Sequence, residues 1–190
     1  MRLGIVSDTH NNLKNCRRIV ELFNDAEVDR VIHTGDITQA KTIAVFGALE
    51  MPMSGVFGNN DQERVALEAA MHAYGFDFHD PPWQVVIGQR TLCVVHDPLE
   101  FPEEALACDL NLHGHTHRYR CERRQGRLTF NPGECAGMMT GLNAIGVVDL
   151  QFLTTEVITF ESGSRFALWT DVRVSPCSQD EPTTRALVGT

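Results

Sequence analysis

A chain of 190 residues that is 43% hydrophobic and 22% charged is long enough for one domain with a full core, and its composition excludes the fibrous, disordered and disulfide-framework classes. The formal net charge of −9, from 16 Lys and Arg against 25 Asp and Glu, removes the basic excess that an extended nucleic-acid surface needs, while leaving a small phosphate substrate open. No run of about 18 apolar residues exists and the N-terminus goes straight into "RLGIVSD", so a soluble cytoplasmic protein with no membrane contact is expected. The cysteines, Cys16, Cys93, Cys108, Cys121, Cys135 and Cys177, form no C-x-x-C pair and read as reduced thiols packed as small hydrophobes.

Along the chain, a short run rich in Val, Ile or Leu repeatedly ends in a residue that can bind metal, with a loop after it. "RLGIVSDTH" ends at Asp8 and His10, and Asn12 to Asp25 then places Leu13, Cys16, Val20 and Phe23 on one helical face. "VDRVIHTGD" ends at Asp36 and precedes a second helical candidate, Thr38 to Leu49. "MSGVFGNND" ends at Asn59 and precedes a third, Asp61 to Ala73. Alternating strand and helix implies parallel strands with right-handed crossovers, whose C-terminal ends gather on the edge where open α/β sheets bind ligands. Three hairpins come next, in "WQVVIGQRTLCVVH", "YRCERRQGRLTF" and "NAIGVVDLQFLTTEVITF", and predict a second, more antiparallel sheet. Within this half, "TLCVVHD" ends at His96 and "CDLNLHGHTH" at His115 and His117. The expected fold is α/β, a two-sheet β-sandwich flanked by helices.

"NLHGHTHRYR" sets His113, His115 and His117 on alternate positions, in a chain with only 8 histidines. Such a row fits a half-buried strand, and it equally fits a metal site served by neutral imidazoles, with Gly114 keeping the backbone slim. The other strand ends favour the metal. Two carboxylates, one amide oxygen and four imidazoles make seven candidate ligands, Asp8, His10, Asp36, Asn59, His96, His115 and His117, a count that suits two divalent cations with open positions. Mixed nitrogen and oxygen donors put Mn²⁺ first, with Zn²⁺, Fe²⁺ or Ni²⁺ as alternatives. Two such ions against two carboxylates leave a surplus of roughly two positive charges, which attracts an anion and acidifies a bridging water to hydroxide near neutral pH. Hydrolysis of a phosphate ester needs both.

"DTH" at 8 to 10, "GD" at 35 to 36, "GNND" at 58 to 61, His96 after a strand and "GHTH" at 114 to 117 together resemble the ordered motifs of the calcineurin-like metallophosphoesterases. The spacing is most similar to their small single-domain, YfcE-like phosphodiesterase branch, and "NPGE" at 131 to 134 is similar to its Asn-Pro-Gly-Ser turn. The resemblance covers about residues 1 to 160 and implies a four-layer αββα fold, with residues 161 to 190 as an extension. It also implies a division of labour. Asp8, His10 and His117 would hold one metal, Asn59, His96 and His115 the other, and Asp36 would bridge. Asp36, Asn59 and His96 count as catalytic as well as ligating.

Many members of the wider superfamily carry His directly after the motif Asn, where it serves the leaving group, and this chain has Asn60. Asn60 with Glu63 three residues on reads first as an N-cap and capping box opening the third helix, with Asp61 in its first turn, and second as a substrate contact. His113 matches no ligand position and is expected to be packed or to brace a ligand. His33 and Asp61 are expected near Asp36 as hydrogen-bonding supports, and Asp97 either orients His96 in the same way or serves the turn before Pro98. Of Arg118, Arg120, Arg123, Arg124 and Arg127, Arg118 or Arg120 is a candidate substrate contact, the rest reading as a solvated face. After Glu161, "RFALWTDVRV" reads as an edge strand or a homo-oligomer contact and the remainder as a tail. The alternative to an enzyme is a non-catalytic protein-interaction scaffold on the same fold, which would be free to lose ligands; all seven are present.

Overall fold

The computed structural model describes residues 1–139 and 142–161. Three strands, β1 (Arg2–Val6), β2 (Arg30–His33) and β3 (Met53–Val56), are parallel neighbours, connected through α1 (Leu13–Asp25) and α2 (Ala40–Phe46). The helix α3 (Arg64–Tyr74) stops at Gly75, whose left-handed φ of 69° closes the last turn, and leads to β4 (Asp77–His79), parallel to β3. At three residues, β4 is too short to leave a periodic signal in the sequence.

The three predicted hairpins are present as β5 (Trp83–Ile87) with β6 (Arg90–Val94), β8 (Arg120–Arg124) with β9 (Arg127–Asn131), and β10 (Leu142–Asp149) with β11 (Thr154–Glu161). Between them, β7 (Leu110–Leu112) is a fully buried strand. One sheet has the order β11-β10-β1-β2-β3-β4 and the other β5-β6-β7-β9-β8.

Two features depart from expectation. The third hairpin joins the first sheet, β10 pairing antiparallel with β1. The reason is visible in its side chains: Ile145 and Val147 pack toward the helices while Ala144 and Val148 pack between the sheets, so β10 has two apolar faces and belongs in a layer covered on both sides. The second sheet is mixed, because β6, β7 and β9 run parallel.

The apolar core lies in two main layers. All three helices contribute to the first, where Cys16, Ile19, Phe23, Ile43, Phe46, Leu67 and Met71 cover Val6, Val31 and Met53. The second fills the space between the sheets with Leu3, Ile5, Ile32, Leu92, Val94, Leu112 and Phe130 among others. The outer face of the second sheet carries a thinner cover: two 3-10 helices, Pro98–Glu100 and Glu103–Ala107, help set Phe101 and Ala105 against Cys93 and Val95. Cys16, Cys93, Cys108 and Cys135 are buried free thiols as expected, whereas Cys121 is disulfide-bonded. Among the described residues no helix is long and apolar enough to cross a membrane. The edge strand and oligomer contact expected after Glu161 lie outside the described residues.

Phe130 ties the layers together, since its ring occupies the space a Cβ on Gly146 would need, 2.4 Å from that position. Phe130→Ala should therefore cost about 3 to 5 kcal/mol of unfolding free energy in urea denaturation, through the cavity left between the sheets.

Candidate metal centre

Five strands, β1, β2, β3, β6 and β7, each deliver ligand-type side chains just beyond their last residue. Five of the seven candidates, Asp8, His10, Asp36, His115 and His117, have positive φ, between 40° and 63°. That region is uncommon for residues with a Cβ, though Asp, Asn and His tolerate it best, and it turns the chain sharply so that consecutive motif residues point into one space. The regular alternation of His113, His115 and His117 is therefore not a strand. β7 ends at Leu112, and the last two histidines stand on left-handed turns.

The seven candidates converge. Asn59 Oδ1 lies 3.0 Å from both His96 Nε2 and His115 Nδ1. His117 Nε2 lies 3.2 Å from His10 Nε2 and 3.4 Å from Asp8 Oδ1. Asp36 Oδ2 stands between these groups, 3.5 Å from His10 Nε2 and 3.4 Å from His96 Nε2. Donors bound at about 2.0 to 2.2 Å to one cation, at tetrahedral or octahedral angles, stand about 2.8 to 3.6 Å apart, so these separations are those of coordination edges. Asp8 Oδ1, fully buried, has no hydrogen-bond partner, as expected of an atom reserved for a cation. The donor set, two carboxylates, an amide oxygen and four imidazoles, fits borderline divalent ions.

Exposure is graded across the site. Asp8, Asp36 and His96 form a buried floor, while His10 and His117 are part-exposed and Asn59 and His115 exposed at the rim. His96 gives its Nδ1–H to the Thr34 carbonyl at 2.8 Å, which leaves Nε2 as the lone-pair atom facing the site. Burial alone would push the His96 pKa down, but the Asp36 carboxylate raises it to about 9 in the metal-free protein. His117 is raised to about 9 as well, first by its interaction with Asp8. Burial would push the Asp36 pKa up, yet His96 and the two Asn60 donors hold it well below the carboxylate range.

Around the donors, a set of supporting residues holds the loops in place. Asn60 donates its main-chain N–H to Asp36 Oδ1 at 2.9 Å and its side-chain amide to Oδ2 at 2.7 Å. It does not cap α3, which starts at Arg64 with Glu63 before it and no side-chain cap. Asp61 likewise lies ahead of the helix: it accepts from the N–H groups of Asp36, Thr38 and Gly58, pinning the "GD" and "GNND" loops to each other. Three loop donors hold this carboxylate more strongly than one helix terminus could. Asp97 approaches His115 rather than His96, with Oδ2 3.6 Å from His115 Nε2, while Oδ1 accepts from Leu99 N–H in the turn. His113 is buried, bonded to the Gly114 carbonyl and edge-on to Phe101. Arg118 is exposed beside His117, and Arg120, Arg123 and Arg124 are engaged by Glu122 or the Leu153 carbonyl.

Two residues of the "NPGE" turn carry roles that the sequence did not assign. Asn131 donates to the Gly114 carbonyl and Thr116 Oγ1, both at 3.2 Å, and so shapes the "GHTH" loop. Glu134 is buried against His117, with Oε2 2.9 Å from Nδ1. Gly114 is required by crowding, since a Cβ there would fall 1.9 Å from Ser7 Oγ and 2.9 Å from Asp8 Oδ2.

Two pockets open beside the centre. One, of about 380 Å³, is lined mainly by apolar surface between His117, Tyr119, Pro132, Leu142 and Val157, with Arg118 on its wall. The other, of about 260 Å³, adjoins Asn59, His96 and His115 and carries Arg64 with Asp80, Asp97 and Glu100.

Residues 1–152 match the family model of the calcineurin-like phosphoesterase superfamily domain. Phosphodiesterase MJ0936 of Methanocaldococcus jannaschii is 35% identical over 156 residues, covering 80% of this chain and 94% of that protein. Phosphodiesterase YfcE of Escherichia coli K12 is 28% identical over 149 residues, covering 70% and 78%. A solved structure described as a novel archaeal phosphodiesterase superposes with a TM-score of 0.75 at 31% identity, covering 84% of this chain and all of that one. The chain belongs to the calcineurin-like phosphoesterase superfamily and is, with that family, a metal-dependent phosphoric ester hydrolase.

His33 braces the centre without facing it. Its Nδ1 accepts from Gly35 N–H at 3.1 Å and its Nε2 meets Thr9 Oγ1 at 3.3 Å, so a second ring proton would confront the Gly35 donor. Burial pushes its pKa from 6.5 down to about 3. The unfolded chain therefore binds this proton first, and stability present above pH 6.5 is lost as the pH falls toward 3. In metal-free protein, the His33 contribution should fall by about 2 to 3 kcal/mol of unfolding free energy between about pH 7 and about pH 4, read as the difference between the wild-type and His33→Gln pH profiles.

Proposed function

We propose that this chain hydrolyses small phosphodiesters using two divalent cations, one held by Asp8, His10 and His117, the other by Asn59, His96 and His115, with Asp36 shared. The observation that carries this reading is the position of Asp36 Oδ2 within 3.5 Å of an imidazole from each group. When bound, such a pair supplies Lewis acidity at the phosphoryl group and lowers the pKa of coordinated water. Mn²⁺ is proposed first, on donor type, with Zn²⁺, Fe²⁺ or Ni²⁺ as alternatives.

The chain's own residues contribute orientation. Asn60 fixes both oxygens of Asp36, and the Thr34 carbonyl fixes the His96 tautomer. Asn60 gives one of its side-chain amide N–H groups to Asp36, and an amide N–H is too weak an acid to protonate a leaving group. Proton transfer of that kind is worth about 10²- to 10⁴-fold, and its loss weighs most on poor leaving groups. The two flanking pockets, one by His117 and one by His115, offer separate room for the two organic arms of a diester. Arg118 is proposed to meet the substrate from the apolar side. A non-catalytic scaffold would have no need of seven converging donors, and the convergence favours the enzyme.

With added Mn²⁺, bis-p-nitrophenyl phosphate should be turned over well and simple alkyl monoesters poorly; efficient alkyl monoester hydrolysis would count against this reading. Protein purified without chelator should hold about two metals per chain by elemental analysis, and Asp36→Asn should lose hydrolysis. Unchanged activity in that variant would remove Asp36 from its shared position.

A further inference from the structure

Building on the two-cation reading, we propose that Glu134 is a positioning residue of the first cation site: it holds His117 with its proton on Nδ1 and so aims the Nε2 lone pair at Asp8 and His10. Glu134 is only 3% exposed, and among the described residues its one ion-pair partner is His117, Nδ1 to Oε2 at 2.9 Å. A carboxylate that deep is costly unless its oxygens are fully engaged. Its other oxygen accepts from Met139 N–H at 2.5 Å, and its main-chain carbonyl from Ala144 N–H at 3.0 Å, so the side chain enters from a rigid turn. The next residue, Cys135, gives its N–H to the Asp8 carbonyl at 3.2 Å, tying that turn to the strand end carrying a ligand of the same group.

The result is a line from Glu134 through the His117 ring to Nε2, which lies 3.2 Å from His10 Nε2 and 3.4 Å from Asp8 Oδ1. A carboxylate behind a ligating imidazole selects the tautomer, stops ring rotation and makes the facing nitrogen a better donor. The second group is built differently. His96 is oriented by a neutral carbonyl, that of Thr34, and His115 has Asp97 at 3.6 Å on an exposed edge. The two cation positions therefore differ in how tightly their imidazoles are held, with the buried, charged support on the Asp8, His10 and His117 side. A serine in place of Glu134, as in the Asn-Pro-Gly-Ser turn that this stretch resembles, is too short to span the same gap.

The test is calorimetric titration of chelator-stripped protein with Mn²⁺ in the wild type, Glu134→Gln and Glu134→Ser, with melting temperatures measured alongside. The wild type should show two sites. In each variant one site should weaken by about ten- to one-hundredfold while the other keeps its affinity. A purely structural role would lower the melting temperature and leave the ratio of the two affinities alone, and that outcome, or two unchanged sites, overturns the proposal. Imidazole ¹⁵N spectra of the wild type loaded with diamagnetic Zn²⁺ supply a reading that needs no variant: His117 should carry its proton on Nδ1, and a proton on Nε2 overturns the assignment. A wild type that takes up no cation pair would instead sink the two-cation reading itself, and the proposal with it.

Discussion

The centre depends on one topological constraint: strands β1, β2 and β3 of one sheet and β6 and β7 of the other all end on the same rim. Parallel neighbours must finish at the same edge, and crossovers through α1 and α2 return the chain to start the next strand. Each strand then contributes the side chains just past its final residue, and the rim collects donors from positions more than a hundred residues apart. His10 and His117 meet at 3.2 Å for this reason. The layer between the sheets, with Ile5, Ile32, Val94 and Leu112 fully buried, holds the two rims at a separation that the side chains can span.

Beyond the strand ends, the loops are bent in ways that most residues resist. Left-handed conformations at Asp8, His10, Asp36, His115 and His117 store strain of about 1 kcal/mol or more each when not relieved locally. Asp61 relieves part of it by engaging three loop N–H groups at once, and Asn131 does the same for the "GHTH" loop. The floor of the site is thus held by the protein's own hydrogen bonds, and the rim is left open.

Charge in the centre is more nearly balanced than a count of ligands suggests. Glu134 stands directly behind His117 and Asp61 behind Asp36, so two further carboxylates would oppose any cation pair held there from the protein side. Burial raises the Asp61 pKa, which the three N–H groups only partly offset. The positive surplus of roughly two inferred from the seven ligands shrinks accordingly. What remains is a direction: Asp8, Asp36 and His96 lie buried below, while His10, His115, His117 and the amide of Asn59 lie toward the rim that faces solvent. An anionic substrate meets that rim and not the net charge of −9.

Much of this was written in local patterns. Short apolar runs with polar ends marked β1, β2, β3, β6 and β7, turn residues marked the hairpins, and the helical periodicity from Asn12 to Asp25 marked α1, because each of these signals depends only on neighbours in the chain. All seven candidate donors were named from motif order, and the structure brings them together. Other features were decided at a distance. Whether β10 joins the first or the second sheet turns on its having two apolar faces to cover, which is a matter of the layers above and below it. Asn60 and Asp61 look like the start of a helix until Asp36 and its loop are placed within reach of their donors and acceptor oxygens. Glu134 carries no local signal of its partner, since a carboxylate in a turn declares itself only when folding buries it against an imidazole seventeen residues away. Motif residues could be identified from the chain alone because their chemistry is intrinsic; which neighbour holds each of them in place is a property of packing, and only the tertiary structure could decide it.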